Sequence, residues 1–89
     1  MNVANDALTR TSLSRLRWQC RRGMLELDLM LQPFCDNDYL LLSKAEQKAF
    51  QLLLTTPDQD LLEYLMEQKT PDNKDVADVV IKIRKAAAS

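Results

Sequence analysis

The chain has 89 residues, no histidine and a formal net charge of −1 at pH 7, from 12 basic and 13 acidic side chains. A chain of this length is one domain, which buries about 60% of the surface that its unfolded form exposes and folds without disulfides or metals. Hydrophobic residues make up 46% of the chain, which excludes general disorder, and no run approaches the ~20 apolar residues of a membrane span.

Residues 1–11 precede the first helical pattern and lack the apolar core of a secretory signal, so we expect a flexible extension on a cytoplasmic protein. In residues 12–89, apolar side chains recur with the helical period, and no segment alternates as a strand does. We therefore predict an all-α fold, a compact five-helix bundle in one small domain. The predicted helices lie near residues 12–22, 24–41, 44–54, 57–68 and 72–87.

Gly23, the only glycine, separates the first two predicted helices. It also separates a segment with five arginines and one acidic residue from a segment, 24–42, with four acidic residues and no basic one. We expect it either to end the first helix in a left-handed turn or to let the second begin where a side chain would clash. Pro33 is expected to kink or break the second helix, because it removes a backbone donor. The run Leu40–Leu42 favours a buried corner between the second and third helices, with an exposed contact as the alternative.

Start signals precede the last three helices. Ser43 and Glu46 form a capping box, in which each side chain accepts a hydrogen bond from the other residue's backbone N–H. Thr56 and Gln59 predict a second capping box, with Pro57 at the first helical position. The pair Thr70-Pro71 repeats this signal before the fifth helix.

The residue types argue against an enzyme. Without histidine the chain lacks the commonest general base and the commonest neutral metal ligand, and a single glycine cannot build a phosphate-binding loop. Cys20 and Cys35 are too few for a zinc site, and we expect them to be reduced and buried. We therefore predict a binding module with no catalytic residue, no metal and no cofactor of its own.

The stretch RRGMLELD, residues 21–28, is the candidate partner-binding site. An Arg22–Glu26 surface pair would add only about 0.3–0.5 kcal/mol, in the weaker of the two orientations, so stability explains these charges poorly. An alternative is a patch beside Gly23 on which Arg21, Arg22, Glu26 and Asp28 offer donors and acceptors to another protein. For Trp18 we favour core packing or cover for the first helix, with a contribution to the partner surface as the alternative.

The same stretch resembles the RGxxE signature of the SdhE family, the FAD assembly factors of succinate dehydrogenase. The signature corresponds to Arg22, Gly23 and Glu26, with Arg21 and Asp28 beside it. The resemblance covers roughly residues 15–85, with one departure at Tyr64, where several members have tryptophan. The further similar segments are WQCRRG, Pro33-Phe34, DNDY, LSKAEQKAFQLLL and DQDLLEYLM.

The resemblance implies a five-helix bundle that acts as a non-enzymatic assembly factor, as a monomer or weak dimer. Family members bind the flavoprotein subunit of succinate dehydrogenase, in some cases of fumarate reductase, and promote covalent attachment of FAD to a histidine of that subunit. Two alternatives stay open. One is an antitoxin-like protein that neutralises a partner toxin, since some family members carry that label. The other is a helical DNA-binding domain that uses the arginines of the first helix, although the net negative charge disfavours nucleic acid.

Overall fold

A computed structural model describes residues 13–88 of the chain. It contains five α-helices and one 3-10 turn, and no strand occurs within this range. The predicted all-α, single-domain fold is confirmed, while the predicted extension 1–11 lies outside the described residues. The helices are α1 (13–19), α2 (Leu25–Asn37), α3 (Lys44–Leu53), α4 (Asp58–Leu65) and α5 (Lys74–Ala88), and the 3-10 turn is Tyr39–Leu41.

The core forms where α2, α3 and α4 pack against α5. The α5 stripe of Val76, Val79, Val80 and Ile83 is buried, as its helical spacing predicts. In the same core, the ring centres of Phe50 and Phe34 lie 5.5 Å apart. None of the helices within residues 13–88 is long and apolar enough to cross a membrane.

Of the kink or break predicted at Pro33, the break is wrong, because α2 continues through this residue to Asn37, and the kink stays a prediction. Pro33 lies on the exposed side of the helix. Leu29, whose carbonyl loses its helical donor, is an exposed residue too, so water can take the place of that donor. The helix then ends where the N–H of Asp38 bonds to the carbonyl of Phe34 at 2.8 Å.

The buried corner predicted at Leu40–Leu42 is also wrong for its first two members. Leu40 and Leu41 are 61% and 81% exposed, and only Leu42 packs partly against the core. Tyr39 is the buried residue of this turn, and its hydroxyl accepts a hydrogen bond from Gln51 at 2.7 Å. Because a 3-10 turn points successive side chains in different directions, one buried position leaves the next two in solvent.

One of the three predicted start signals is confirmed. Ser43 caps α3, with the N–H of Glu46 donating to its hydroxyl at 3.1 Å and its own N–H donating to the Glu46 carboxylate at 2.9 Å. The Thr56–Gln59 box is wrong, because Pro57 itself is the residue before α4 and no side chain caps that helix.

The predicted start of the fifth helix at Thr70-Pro71 is wrong as well. The helix begins at Lys74, after Asn73, whose side-chain oxygen accepts a hydrogen bond from the N–H of Val76 at 3.1 Å. Asparagine is a strong capping residue, and Pro71 instead packs in a buried position.

Candidate partner-binding site

Gly23 lies in the short linker between α1 and α2 and has a φ angle of +81°. The left-handed conformation predicted from its position is therefore confirmed. The predicted clash is wrong, because a Cβ atom built at this residue would meet no atom within 4 Å apart from its chain neighbours. The glycine is thus required for its backbone angle, which side chains with a Cβ disfavour, and the space around it is open.

Arg22 turns inward and binds the connection between α3 and α4. Its side chain is 14% exposed. Its guanidinium donates to the carboxylate of Asp58 at 2.7 Å and to the backbone carbonyls of Leu54 at 2.8 Å and Thr56 at 2.7 Å. A fourth bond reaches the carbonyl of Gln19 at 3.2 Å, at the end of α1. The surface pair of Arg22 with Glu26 is not formed.

Asp28, in α2, also stabilises the linker between α1 and α2. Its carboxylate accepts a hydrogen bond from the backbone N–H of Arg22 at 2.8 Å, and the residue is half-buried in the first turn of α2. Arg22 and Asp28 together hold the backbone on either side of Gly23. Two of the charged residues of the candidate stretch are therefore used within the fold.

Trp18 and Arg21 point outward from the end of α1. The indole ring of Trp18 is 71% exposed, so the favoured prediction of core packing is wrong. Trp18 follows the buried Leu16 by two positions, about 200° around the helix, which places it on the solvent side. The guanidinium of Arg21 lies 5.2 Å from the centre of the indole ring, at the distance of a cation–π contact.

Glu26 extends from the first turn of α2 into solvent, and among residues 13–88 it forms no salt bridge. Leu25 and Leu29 are on the same side of the helix and are 68% and 64% exposed. Sequence reasoning missed these two leucines. The available signal was their spacing, since they lie outside the buried stripe of Leu27 and Leu31.

Five outward residues define what we call the docking face: Trp18, Arg21, Leu25, Glu26 and Leu29. It combines an aromatic ring, a guanidinium, a carboxylate and two leucines, and aromatic and arginine side chains are enriched in protein interfaces. Residues 13–88 contain no cluster of three or more side chains that would hold a metal ion. The geometry thus defines a small helical domain whose docking face is exposed and is the candidate site for a partner.

The chain belongs to the family described as "Flavinator of succinate dehydrogenase", whose model matches residues 14–87. A relative from Shewanella oneidensis, named FAD assembly factor SdhE, is 40% identical over 77 residues, which are 86% of this chain and 94% of the relative. A protein of the same name from Legionella pneumophila (strain Lens) is 48% identical over 71 residues, covering 80% of this chain and 89% of the relative. The resemblance inferred from the RGxxE signature is confirmed.

Proposed function

We propose that this protein binds the flavoprotein subunit of succinate dehydrogenase and promotes the covalent attachment of FAD to that subunit. The observation that carries the proposal is the family match over residues 14–87, which includes the whole candidate stretch. The names of the Shewanella and Legionella relatives support the same role. We extend the proposal to the flavoprotein subunit of fumarate reductase as a second client.

In this role the chain acts by positioning and is not itself an enzyme. A sequence without histidine contributes neither the residue that receives the flavin nor the commonest general base. The FAD belongs to the client, and the attachment chemistry takes place between the flavin and the client's histidine. Holding two reacting groups in the productive geometry can lower a barrier by several kcal/mol, about 7 or more in favourable cases.

The residues of the family signature have two roles: some stabilise the fold and one is exposed on the surface. Arg22 binds the α3–α4 connection, and Gly23 supplies the left-handed angle, so that the linker has one defined path. Glu26 then lies in the first turn of α2 with its carboxylate in solvent. We propose that this carboxylate meets a positive group of the client, while Trp18 and Arg21 contact the surface beside it. A linker with one defined path favours affinity, because little backbone ordering is needed on binding.

The test is to coexpress the client flavoprotein subunit with the parent protein, with Glu26→Ala or with no factor, in cells that lack their own factor. Covalent flavin is read by fluorescence of the denatured subunit. Because Glu26 is exposed, the variant should keep its stability within about 1 kcal/mol. Loss of a desolvated charge contact costs about 2–5 kcal/mol of binding, so flavin should fall close to the level without factor.

Asp75→Ala is the matched control, because Asp75 is an exposed acidic residue in the first turn of α5. This variant should support flavin attachment at the parent level. Parent-level flavin with Glu26→Ala would remove Glu26 from the binding site. Equal flavin with and without the parent protein would refute the proposed function for this client.

A further inference from the structure

Cys20 and Cys35 form a buried thiol pair that the proposed function does not use. Cys20 follows the last turn of α1, Cys35 lies in the last turns of α2, and neither is more than 1% exposed. Both are free, and their thiols are close enough to share a hydrogen bond. Two cysteines whose thiols lie this close meet the first requirement for a disulfide, which is proximity of the sulfur atoms.

The two thiols differ in their surroundings. Cys35 lines a small cleft between α1 and α2, about 90 Å³ in volume, together with Arg17, Arg21, Gln32 and Asp36. A water molecule occupies about 30 Å³ in the liquid, so the cleft has room for an oxidant as small as hydrogen peroxide. Cys20 does not line this cleft. An oxidant that enters from solvent therefore meets Cys35 first.

The electrostatic surroundings also favour reaction of Cys35 before Cys20. The hydrogen bond from Cys20 lowers the pKa of the Cys35 thiol, and the positive charge of Arg17 lowers it further, against burial and the charge of Asp36. The same hydrogen bond and burial raise the pKa of Cys20. Arg17 is held at the cleft by Asp36, with 3.0 Å between Nε and Oδ1. The thiolate is the reactive form of cysteine, and Cys35 is the thiol that lines the cleft, so Cys35 is the nucleophile of the pair.

The geometry points to a reversible redox site in which Cys35 reacts with a peroxide and Cys20 closes a disulfide. The Cys35 thiolate attacks one peroxide oxygen, the O–O bond breaks, and hydroxide leaves to take up the proton that Cys35 released. The Cys20 thiol then attacks the sulfur of the Cys35 sulfenic acid, an S–S bond forms, and water leaves. In total, two thiols and one hydrogen peroxide give one disulfide and two waters.

The disulfide would close a ring over residues 20–35, which contains the linker and the first turns of α2. The left-handed Gly23, the exposed Glu26 and the anchoring Asp28 all lie inside this ring. A cross-link restricts the unfolded chain, so the oxidised protein should melt at a higher temperature than the reduced one. Reduction by a dithiol would restore the original melting temperature.

The experiment treats the folded, full-length protein with hydrogen peroxide, alkylates the remaining thiols and maps the peptides by mass spectrometry. We expect the loss of two hydrogen atoms, a peptide cross-link between Cys20 and Cys35, and recovery of both thiols with a dithiol reductant. In Cys20→Ala the reaction should stop at a sulfenic acid on Cys35, which dimedone traps. In Cys35→Ala, the Cys20 thiol should stay reduced.

Arg17→Gln tests whether the charge of Arg17 promotes the reaction of Cys35. Because Arg17 is exposed, the change should leave the fold intact. This change should slow formation of the cross-link several-fold at neutral pH without preventing it, because it removes a charge that favours the thiolate. Oxidation of Cys20 before Cys35, or thiols in the parent protein that stay reduced until it is denatured, would overturn the inference. Whether the thiols react in the folded state is measured on the parent protein alone. That result therefore does not depend on the folding of any cysteine variant.

Discussion

Arg22 pairs with Asp58, thirty-six positions further along the chain, with 2.7 Å between Nε and Oδ1. It does not pair with Glu26, which is four positions away and on a solvent-facing side of α2. The two charged residues of the RGxxE signature therefore have different roles. The arginine connects the α1–α2 linker to the α3–α4 connection, and the glutamate is left available to a partner.

Replacing Arg22 should therefore damage stability. In Arg22→Ala, three backbone carbonyls and the Asp58 carboxylate lose a donor, most of them in a partly buried site. We expect a loss of about 2–4 kcal/mol in the free energy of unfolding. Arg22→Lys keeps the charge without the planar fork and should lose about half as much. Urea denaturation measures these values, with Glu26→Ala as the control. An Arg22→Ala protein as stable as the parent would show that these hydrogen bonds contribute little.

Gly23 should be sensitive to backbone angle and tolerant of side-chain size. Gly23→Ala should lower the free energy of unfolding by about 1 kcal/mol, because a residue with a Cβ is strained at a φ of +81°. Gly23→Asn should lose less, since asparagine tolerates the left-handed region better than alanine. Larger unbranched side chains should resemble alanine, given the open space at the Cβ position. Thermal melts would reveal a steric requirement if the loss grew with side-chain volume.

The docking face should contribute to client binding through its leucines. Leu29→Gln should leave the melting temperature nearly unchanged, because the residue is 64% exposed, and should weaken binding to the client by roughly 5–30-fold, about 1–2 kcal/mol. Leu41→Gln is the matched control, since Leu41 is more exposed and belongs to a different part of the surface. Binding is measured by titration of the purified flavoprotein subunit. Equal affinities of the two variants would argue against this face of α2.

The capping box of α3 should make stability depend on pH. A hydrogen bond from Lys82, with 2.6 Å between Nζ and Oε2, lowers the pKa of Glu46 below its usual value of 4.5, and the N–H of Ser43 lowers it further. A lowered carboxyl pKa stabilises the fold above the usual value, and this contribution is lost as the pH falls through the lower, folded-state pKa. Glu46→Gln should thus melt at a lower temperature than the parent at neutral pH.

The same difference should shrink below pH 4.5 and disappear once the parent's Glu46 is protonated in the folded state. Melting curves of parent and variant across this range measure the effect. In a Lys82→Met background the pH-dependent difference should be smaller, because the strongest interaction with the carboxylate is absent. A difference that stays constant down to the acid limit would assign the stability loss to packing.

Features that depend on local geometry were predictable from the sequence. The helical period of Val76, Val79 and Val80 defines one buried face of α5 wherever that helix packs. The capping box depends only on Ser43 and Glu46, which are three positions apart in the sequence. The left-handed angle at Gly23 follows from its place between two helices, because glycine adopts this conformation without strain.

Residue spacing was insufficient to predict contacts that depend on which helices pack together. The inward turn of Arg22 toward Asp58 and the contact between Cys20 and Cys35 join residues from separate elements, and no local pattern encodes either pairing. The exposure of Trp18 also depended on the packing of α1, since only the side that holds Leu16 is covered. The sequence by itself therefore determined the helices, the cap and the glycine turn, because these depend on neighbouring residues. The tertiary structure alone decided which charged and aromatic side chains remain free for a partner, because that choice depends on contacts between distant parts of the chain.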